Sequence, residues 1–492
     1  MRTLLLTLLL ASLAVLHAAH AQTQRPNIVY ILADDLGYGD VQVLNPQRGK
    51  IKTPNLDRLA SQGMTFTDAH GGSSVCTPTR YGVLTGRYAW RSRLQNGVLD
   101  GYVPPLIAAD RLTVPALMKQ NGYHTACIGK WHLGFTIDGA DKSGGKAKGE
   151  GKLMGAPVGA VTHDGPMTRG FDEFFGFHHA RMMKSVFEKD RVTRFVEPVD
   201  MLPALVKHTG EHIASRAKAG QPFFVYLALN SPHTPIVPSK EWQGKSGLGD
   251  YGDFVMETDW AVGEVLAALD KTGVANNTLV FFTSDNGCSP AAGTGKLEAQ
   301  GHFASAQFRG YKSDIWEGGH RVPFFVCWPG KVKAGSQCAQ LICHTDLMAT
   351  CAEILGAKIP DSAGEDSVSI LPGLLGTDKA PLREAVVHHS INGRFSIRQG
   401  QWKLELCPGS GGWGTPGDAE AKKRGLPEVQ LYDLSTDISE TKNVQAEHPD
   451  IVQRMTHLLE TNVTNGRSTP GARQSNDASI DLAKANAKAP RK

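Results

Sequence analysis

Beyond Leu16 the sequence has no apolar run approaching the roughly 18–20 residues that a bilayer-spanning helix needs, which excludes a multi-span helical membrane protein. Net charge is also scarce: 52 Lys and Arg against 48 Asp and Glu leave +4, with no dense basic run. That lacks the electrostatic footprint of a nucleic-acid binder. Cysteine is sparse, at 8 in 492 residues, so a scaffold held by disulfides is excluded and the fold must rest on its core. No internal repeat is present, so a repeat array is excluded as well.

What is there is 41% hydrophobic and 20% charged, the balance of a soluble globular protein. The length suits about two to four domains, and 54 Gly with 27 Pro suggest many irregular loops. Arg2, the apolar run Leu4–Leu16 and Ala19-His20-Ala21 have the three-part pattern of a secretory signal peptide over residues 1–21. Cleavage there predicts an exported protein, periplasmic or secreted, without stable membrane insertion.

Several short apolar runs lead into polar residues at their downstream ends. Ile28–Ala33 meets Asp34-Asp35, Thr125–Ile128 meets Lys130-Trp131-His132, Phe223–Leu227 meets Ser231-Pro232-His233, and Leu279–Phe282 meets Asp285-Asn286. Runs of this kind read as strands buried on both faces of a parallel sheet. Helix signals lie between them. Thr53-Pro54 starts one that Gly63 stops, Thr113 starts another that Gly122 stops, and Asp253–Leu269 has an apolar stripe. The predicted class is α/β: a large, mostly parallel sheet flanked by helices. Open sheets of this type carry their sites at the carboxyl ends of strands, so the dispersed polar clusters should meet on one edge. The Gly- and Lys-rich segment Gly139–Ala160 reads as a flexible loop near that edge. From about residue 381 the pattern alternates like antiparallel strands, with a helix near Ile451–Leu459. This predicts a catalytic unit over 22–380, a smaller C-terminal α+β domain over 381–465 and a disordered tail over 466–492.

Two local clusters carry chemistry. Pro78 opens a helix that Gly86 ends, which puts Cys76 at a helix N-terminus, a site that favours anions. Arg80, about one turn on, can return its guanidinium to residue 76. Asp34, Asp35 and Asp285 would repel one another at adjacent strand ends unless a cation sat among them. With Asn286 they offer hard oxygen ligands, suited to Ca2+ or Mg2+ rather than zinc.

The segment Cys76-Thr77-Pro78-Thr79-Arg80-Tyr81-Gly82-Val83-Leu84-Thr85-Gly86 resembles the sulfatase signature C-x-P-x-R-x-x-x-x-T-G, with every fixed position matched. Thr79 stands where many members have Ser or Ala. Gly129–Gly134 resembles the family's G-K-W-H-x-G element and Pro232–Pro235 its P-H-x-P element. Gly310-Tyr311-Lys312 with Glu317–Pro323 resembles its G-x-K…E-G-G-x-R-V-P stretch. The resemblance spans roughly residues 26–460. It implies the alkaline phosphatase-like fold and a Cys76 oxidised to Cα-formylglycine by a separate formylglycine-generating enzyme. It also implies one Ca2+ held by Asp34, Asp35, Asp285, Asn286 and residue 76. Arg80, Lys130 and Lys312 would neutralise sulfate, His233 with Lys312 would protonate the leaving alcohol, and His132 would take a proton from the sulfated hydrate. The family has a further sulfate-contacting residue between the His132 and His233 motifs, which the sequence does not place; His163, Asp164, His178 and His179 lie nearby, each with a surface role as the alternative. His302 and His389 are candidates for the pocket rim. The implied substrate is a sulfated carbohydrate or an aryl sulfate, and the E-G-G and Gly301-His302 elements look most like galactosamine-6-sulfatase and arylsulfatase A relatives. Two other readings stay open: a phosphonate or phosphodiester hydrolase of the same superfamily, and a catalytically inactive glycan-binding homologue.

Overall fold

The computed structural model describes residues 25–138 and 155–482. Residues 1–21, read above as a signal peptide, and most of the Gly- and Lys-rich segment lie outside them. Sixteen strands are present among the described residues. They are β1 (Asn27–Asp34), β2 (Met64–Phe66), β3 (Ala69–His70), β4 (His124–Lys130), β5 (Glu173–Phe177), β6 (Ser185–Glu188), β7 (Arg191–Phe195) and β8 (Phe223–Pro232). The rest are β9 (Thr278–Ser284), β10 (Phe324–Cys327), β11 (Ser336–Cys338), β12 (Ile342–Cys343), β13 (Val386–His389), β14 (Phe395–Gln399), β15 (Trp402–Glu405) and β16 (Gln430–Asp433).

Ten strands form the main sheet in the order β11-β2-β10-β9-β1-β8-β4-β5-β6-β7. Its centre is parallel: β1 pairs with β8 and β9, and β4 pairs with β8 and β5. Both flanks turn antiparallel, at β9–β10, β2–β10, β5–β6 and β6–β7. Every residue of β1, β8 and β9 is buried. Successive residues of β1 feed two separate cores: Ile28, Tyr30 and Leu32 face one, while Val29, Ile31 and Ala33 face the other. This is the period-two alternation of a strand covered on both sides. The helices Val114–Gln120 and Leu347–Leu355 cover the first face; Pro54–Gln62, Pro198–Ala219 and Asp250–Lys271 cover the second. Among the described residues, no helix is long and apolar enough to cross a membrane. All eight cysteines are free thiols, so the core carries the fold without disulfides.

A second, antiparallel sheet has the order β13-β14-β15-β16 and packs on the helix Pro449–Thr464 through Ile451, Met455 and Leu459. Tyr88 and Trp90, next to the Cys76 helix, share that core. Glu317 ties the two sheets together. It bonds Arg321 at 3.0 Å and reaches the buried Lys403 of β15 at 3.2 Å. Glu317 and Arg321 of the E-G-G-x-R-V-P stretch are therefore structural. The two glycines between them permit close backbone approach: a Cβ at Gly318 would lie 2.2 Å from the Gly310 carbonyl oxygen, and one at Gly319 2.2 Å from that of Asp314.

The expectation of a disordered tail from Gly466 fails for residues 466–482, which form an ordered strap. Polar composition suggested disorder, but the strap adds partners to two fully buried arginines, Arg87 beside Glu365 and Arg91 beside Asp366. Arg87 pairs with Asp477 at 3.0 Å, and Arg91 donates to Asn476 Oδ1 at 3.0 Å. Asp477 N–H bonds the Arg91 carbonyl at 2.7 Å, and Ile480 and Leu482 pack on the C-terminal core. A chain ending at Asn465 is expected to lose at least about 2 kcal/mol of stability, the scale of hydrogen bonds to charged groups. Thermal denaturation of the truncated and full chains checks this; equal melting temperatures would show the strap to be dispensable.

Candidate functional site

The polar residues at the strand ends meet on one edge. Asp34 closes β1, and Asp285 follows β9. Lys130 closes β4 with His132 two residues on, and His233 follows β8. The helix Cys76–Thr85 begins with Cys76 and ends on Gly86 in the left-handed conformation, φ 64°. Cys76 is only 3% exposed. No side chain caps this helix start, so its first-turn N–H groups remain for an anionic group.

The three carboxylates of Asp34, Asp35 and Asp285 are buried, with one oxygen from each inside a 4.8 Å cluster. A second cluster of the same reach joins Asp34, the Cys76 thiol and His233. Cations surround them. Lys130 Nζ lies 2.5 Å from Asp34, Arg80 lies 2.8 Å from Asp285 and 3.5 Å from Asp34, and Lys312 lies 2.6 Å from Asp35. His233 Nε2 reaches Asp35 at 3.6 Å. Asp35 N–H donates to Asp285 Oδ1 at 3.1 Å, and Asp285 N–H to the Ala33 carbonyl at 3.0 Å, which locks the two acidic segments side by side.

Backbone strain gathers here. Asp35 has φ 67°, His132 φ 54° and Ser313, next to Lys312, φ 85°. Such conformations cost non-glycine residues about 1–2 kcal/mol and cluster at functional sites. Gly129, before Lys130, has φ 108°, and a Cβ there would sit 1.8 Å from the Ala228 carbonyl oxygen. Glycine alone lets β4 lie so close to β8 at this point.

The charges are strongly perturbed. Burial pushes the Asp34 carboxyl up, but Lys130, then His233, Arg80 and Lys312, outweigh it and hold it well below the usual range. Asp285 goes the other way: burial and the neighbouring Asp34 raise it despite Arg80. Burial also raises the Cys76 thiol, so it is not a ready thiolate. For Lys312, burial works against the ammonium, yet Asp35 and its neighbours hold it well above the usual lysine range. Burial lowers His233 to about 4 against the pull of Asp34 and Asp35. His132 is lowered by burial and then by His179 and Lys130.

The fit to a hard cation rests on two orphaned atoms. Asp34 Oδ1 and Asn286 Oδ1 are buried with no hydrogen-bond partner. Unpaired buried oxygens are expensive, and an oxygen-seeking divalent cation would satisfy both.

His132 has a defined tautomer. Its Nε2 lies 2.8 Å from the Leu99 carbonyl, which can only accept, so Nε2 carries the proton and the unpartnered Nδ1 keeps its lone pair. Four residues were open for the additional contact. His163 is exposed and bonds Asp138, and Asp164 accepts from Thr136. His179 packs on His132 with ring centroids 4.4 Å apart, and burial together with Lys130 lowers it to about 2. His178 lies beside it, lowered to about 3. The strand-end rule points to this pair: Phe174-Phe175-Gly176-Phe177 of β5 runs straight into them. His302 is instead a satisfied core histidine, with Nε2 2.8 Å from Asp40 and Nδ1 accepting from Lys50 N–H at 3.0 Å. His389 is buried, and its carbonyl accepts from Ser73 and Ser74, just before Cys76.

The doubly covered parallel sheet, with a carboxylate, cation and histidine cluster at its carboxyl edge, matches the expected alkaline phosphatase-like fold. The Sulfatase family model matches residues 26–357. The chain is 33% identical to an N-acetylgalactosamine-6-O-sulfatase of Bacteroides thetaiotaomicron, over 89% of this chain and 93% of that protein. It is 31% identical to arylsulfatase A of Homo sapiens, over 91% of this chain and 89% of that one. A solved structure from work on the metabolism of multiple glycosaminoglycans by Bacteroides thetaiotaomicron superposes with a TM-score of 0.77 at 30% identity, covering 89% of this chain and 99% of that one. The chain belongs to the sulfatase family and is a sulfuric ester hydrolase.

Proposed function

We propose that this sulfatase is exported and removes sulfate from carbohydrate, using Ca2+ and a formylglycine made from Cys76. The observation that carries the reading is the meeting, at one sheet edge, of an uncapped helix start at Cys76, three clustered carboxylates and three buried cations. Asp34, Asp35, Asp285 and Asn286, with residue 76, would hold the metal. When present, Ca2+ supplies positive charge for sulfate oxygens, and formylglycine at 76 supplies a hydrated aldehyde as nucleophile.

The chain's own residues do the rest. Three ionised carboxylates would cancel the three cations, so added positive charge is what would let the fully ionised site attract an anion. With a dication held by the carboxylates, Arg80, Lys130 and Lys312 would be partly released from that pairing and would neutralise the charge that builds in the transition state. Lys312 and His233 flank Asp35, at 2.6 and 3.6 Å, and Lys312 keeps its proton at any working pH. Bound sulfate would add negative charge beside His233 and favour its protonated form, and with Lys312 it would give a proton to the leaving alcohol oxygen. His132 Nδ1, kept bare by the Leu99 bond, accepts a proton during turnover. His179, packed on His132, is the additional sulfate contact.

The names of the relatives support a galactose-type sugar sulfated at O6, one of them being an N-acetylgalactosamine-6-O-sulfatase. The apolar run Leu4–Leu16 with its Ala19-His20-Ala21 site supports export to where such polysaccharides are met. We place the catalytic unit at 22–380 and the α+β domain at 381–465. The test compares kcat/KM of matured enzyme on defined sulfated mono- and disaccharides with that on an aryl sulfate. A 6-sulfated N-acetylgalactosamine saccharide is expected to exceed the aryl sulfate. If no saccharide in a broad panel does so, the carbohydrate assignment falls and the sulfatase assignment stands.

A further inference from the structure

The loop between β15 and the helix Asp418–Lys423 reads Pro408-Gly-Ser-Gly-Gly-Trp413-Gly-Thr-Pro-Gly417, a composition that suggests slack chain. It is instead pinned from within and from without. Ser410 N–H bonds the Pro416 carbonyl at 2.9 Å, Ser410 Oγ bonds the Gly414 carbonyl at 2.9 Å, and Gly411 N–H bonds Asp418 at 3.1 Å. Outside the loop, Ser390 and Gln430 hold its Gly411 and Gly409 carbonyls, and its other partners are the residues just after Lys312. Trp413 N–H donates to Ser313 Oγ at 3.0 Å, Gly414 N–H to Asp314 Oδ1 at 2.8 Å, and Ile315 N–H to the Ser410 carbonyl at 2.7 Å. The approach is tight enough to demand glycine, because a Cβ at Gly412 would sit 2.3 Å from the Ser313 carbonyl oxygen.

Ser313 links this loop to the nucleophile segment. Its N–H donates to the Ser74 carbonyl at 2.8 Å, two residues before Cys76, and its carbonyl accepts from Ile391 N–H at 3.1 Å. Trp413 therefore stands on a rigid loop whose backbone is joined to the segments bearing both Lys312 and Cys76. It is also 55% exposed, the only exposed one of the eight tryptophans; Trp90, Trp131 and Trp316 are fully buried. A fixed backbone presenting a largely exposed indole, one hydrogen bond from the residue after Lys312, is a preorganised apolar surface, which loses little conformational freedom on binding.

We propose that Trp413 is a sugar-stacking wall at the mouth of the site, and that its indole takes the C–H face of a pyranose ring of the substrate. The electron-rich face of an indole attracts the weakly positive C–H groups of a sugar. In a galactose-type ring the axial O4 leaves the opposite face with an unbroken C–H patch, so this class of ring fits best. The proposal rests on the carbohydrate reading above. It goes further by assigning the sugar's contact to a residue with no part in the sulfate chemistry.

Trp413→Ala and Trp413→Phe separate the two ideas. With a sulfated N-acetylgalactosamine disaccharide, the alanine variant is expected to raise KM about tenfold with kcat within about twofold, and phenylalanine to recover most of the loss. Inhibition by inorganic sulfate, which needs only the anion pocket, should be the same in all three proteins. An unchanged saccharide KM in Trp413→Ala overturns the wall. So does an equal weakening of sulfate inhibition, because that would mean a distorted pocket rather than a lost sugar contact. If the wild-type enzyme turns over aryl sulfates but no saccharide, the carbohydrate reading falls and the wall with it. If it turns over saccharides and Trp413→Ala matches it, only the wall falls.

Discussion

Cys76→Ala protein should fold like the wild type and lose at least about 10⁴-fold in turnover, the scale on which removing a covalent nucleophile acts. The position explains why the loss should be so complete. Residue 76 starts a fully buried helix, and its side chain lies within 4.8 Å of Asp34 and His233, so no other group can take its place in the same geometry. The thiol itself is a poor substitute for the modified residue, because burial raises it in spite of Lys130 and Lys312. Chain made without a formylglycine-generating enzyme should therefore be as inactive as the alanine variant, while melting at nearly the same temperature as active protein. Peptide mass spectrometry of active protein should find residue 76 as the aldehyde. An active preparation whose residue 76 is entirely unmodified thiol would sink the maturation proposal. Thr79 bears on which maturation enzyme accepts the chain: it is buried, and its hydroxyl bonds the Ser73 carbonyl at 3.1 Å.

Much of this edge was legible in the sequence because parallel strands buried on both faces write themselves as unbroken apolar runs. The residue that ends such a run is placed by the run itself, which is why the meeting of Asp34, Lys130, His132, His233 and Asp285 on one edge is legible without a structure. The flanks were less legible. Strands β6 and β7 are short, antiparallel and half polar, and Arg191–Phe195 has a single buried residue, so no run marks them. His178 and His179 obey the same strand-end rule as Lys130, but β5 is a five-residue strand interrupted by Gly176. The proton on His132 depends on the Leu99 carbonyl, a backbone atom on a loop that no motif identifies. The strap over 466–482 was hidden for a related reason. It is held by Arg87 and Arg91, 390 and 385 residues upstream of their strap partners, and no apolar run of its own marks it.

Removing calcium should lower activity and melting temperature together, and restoring Ca2+ should recover both. A cation bound only to the folded state stabilises it by mass action, by about 2.7 kcal/mol at a hundred times its dissociation constant. The carboxylates give the reason to expect so tight a coupling. Without a cation, Asp34 is held ionised by Lys130 while its negative charge pushes Asp285 up, so the cluster resists full ionisation. Ca2+ would favour both ionised forms. Acid works against it by protonating Asp285 first, so calcium affinity should fall as pH drops. Asp285→Ala removes a candidate ligand and also leaves the buried Arg80 without its 2.8 Å partner. Breaking a buried pair from one side costs about 3–5 kcal/mol, so this variant should melt well below the wild type and no longer respond to Ca2+. Asn286→Ala tests the metal without stranding Arg80, since it takes away an orphaned oxygen and one hydrogen bond to Asp35 at 2.8 Å but no charge. It should bind calcium more weakly and lose rate, yet approach wild-type turnover as calcium is raised. Metal analysis that finds no divalent ion in fully active enzyme, or chelated enzyme that keeps its rate and melting temperature, would remove calcium from the mechanism.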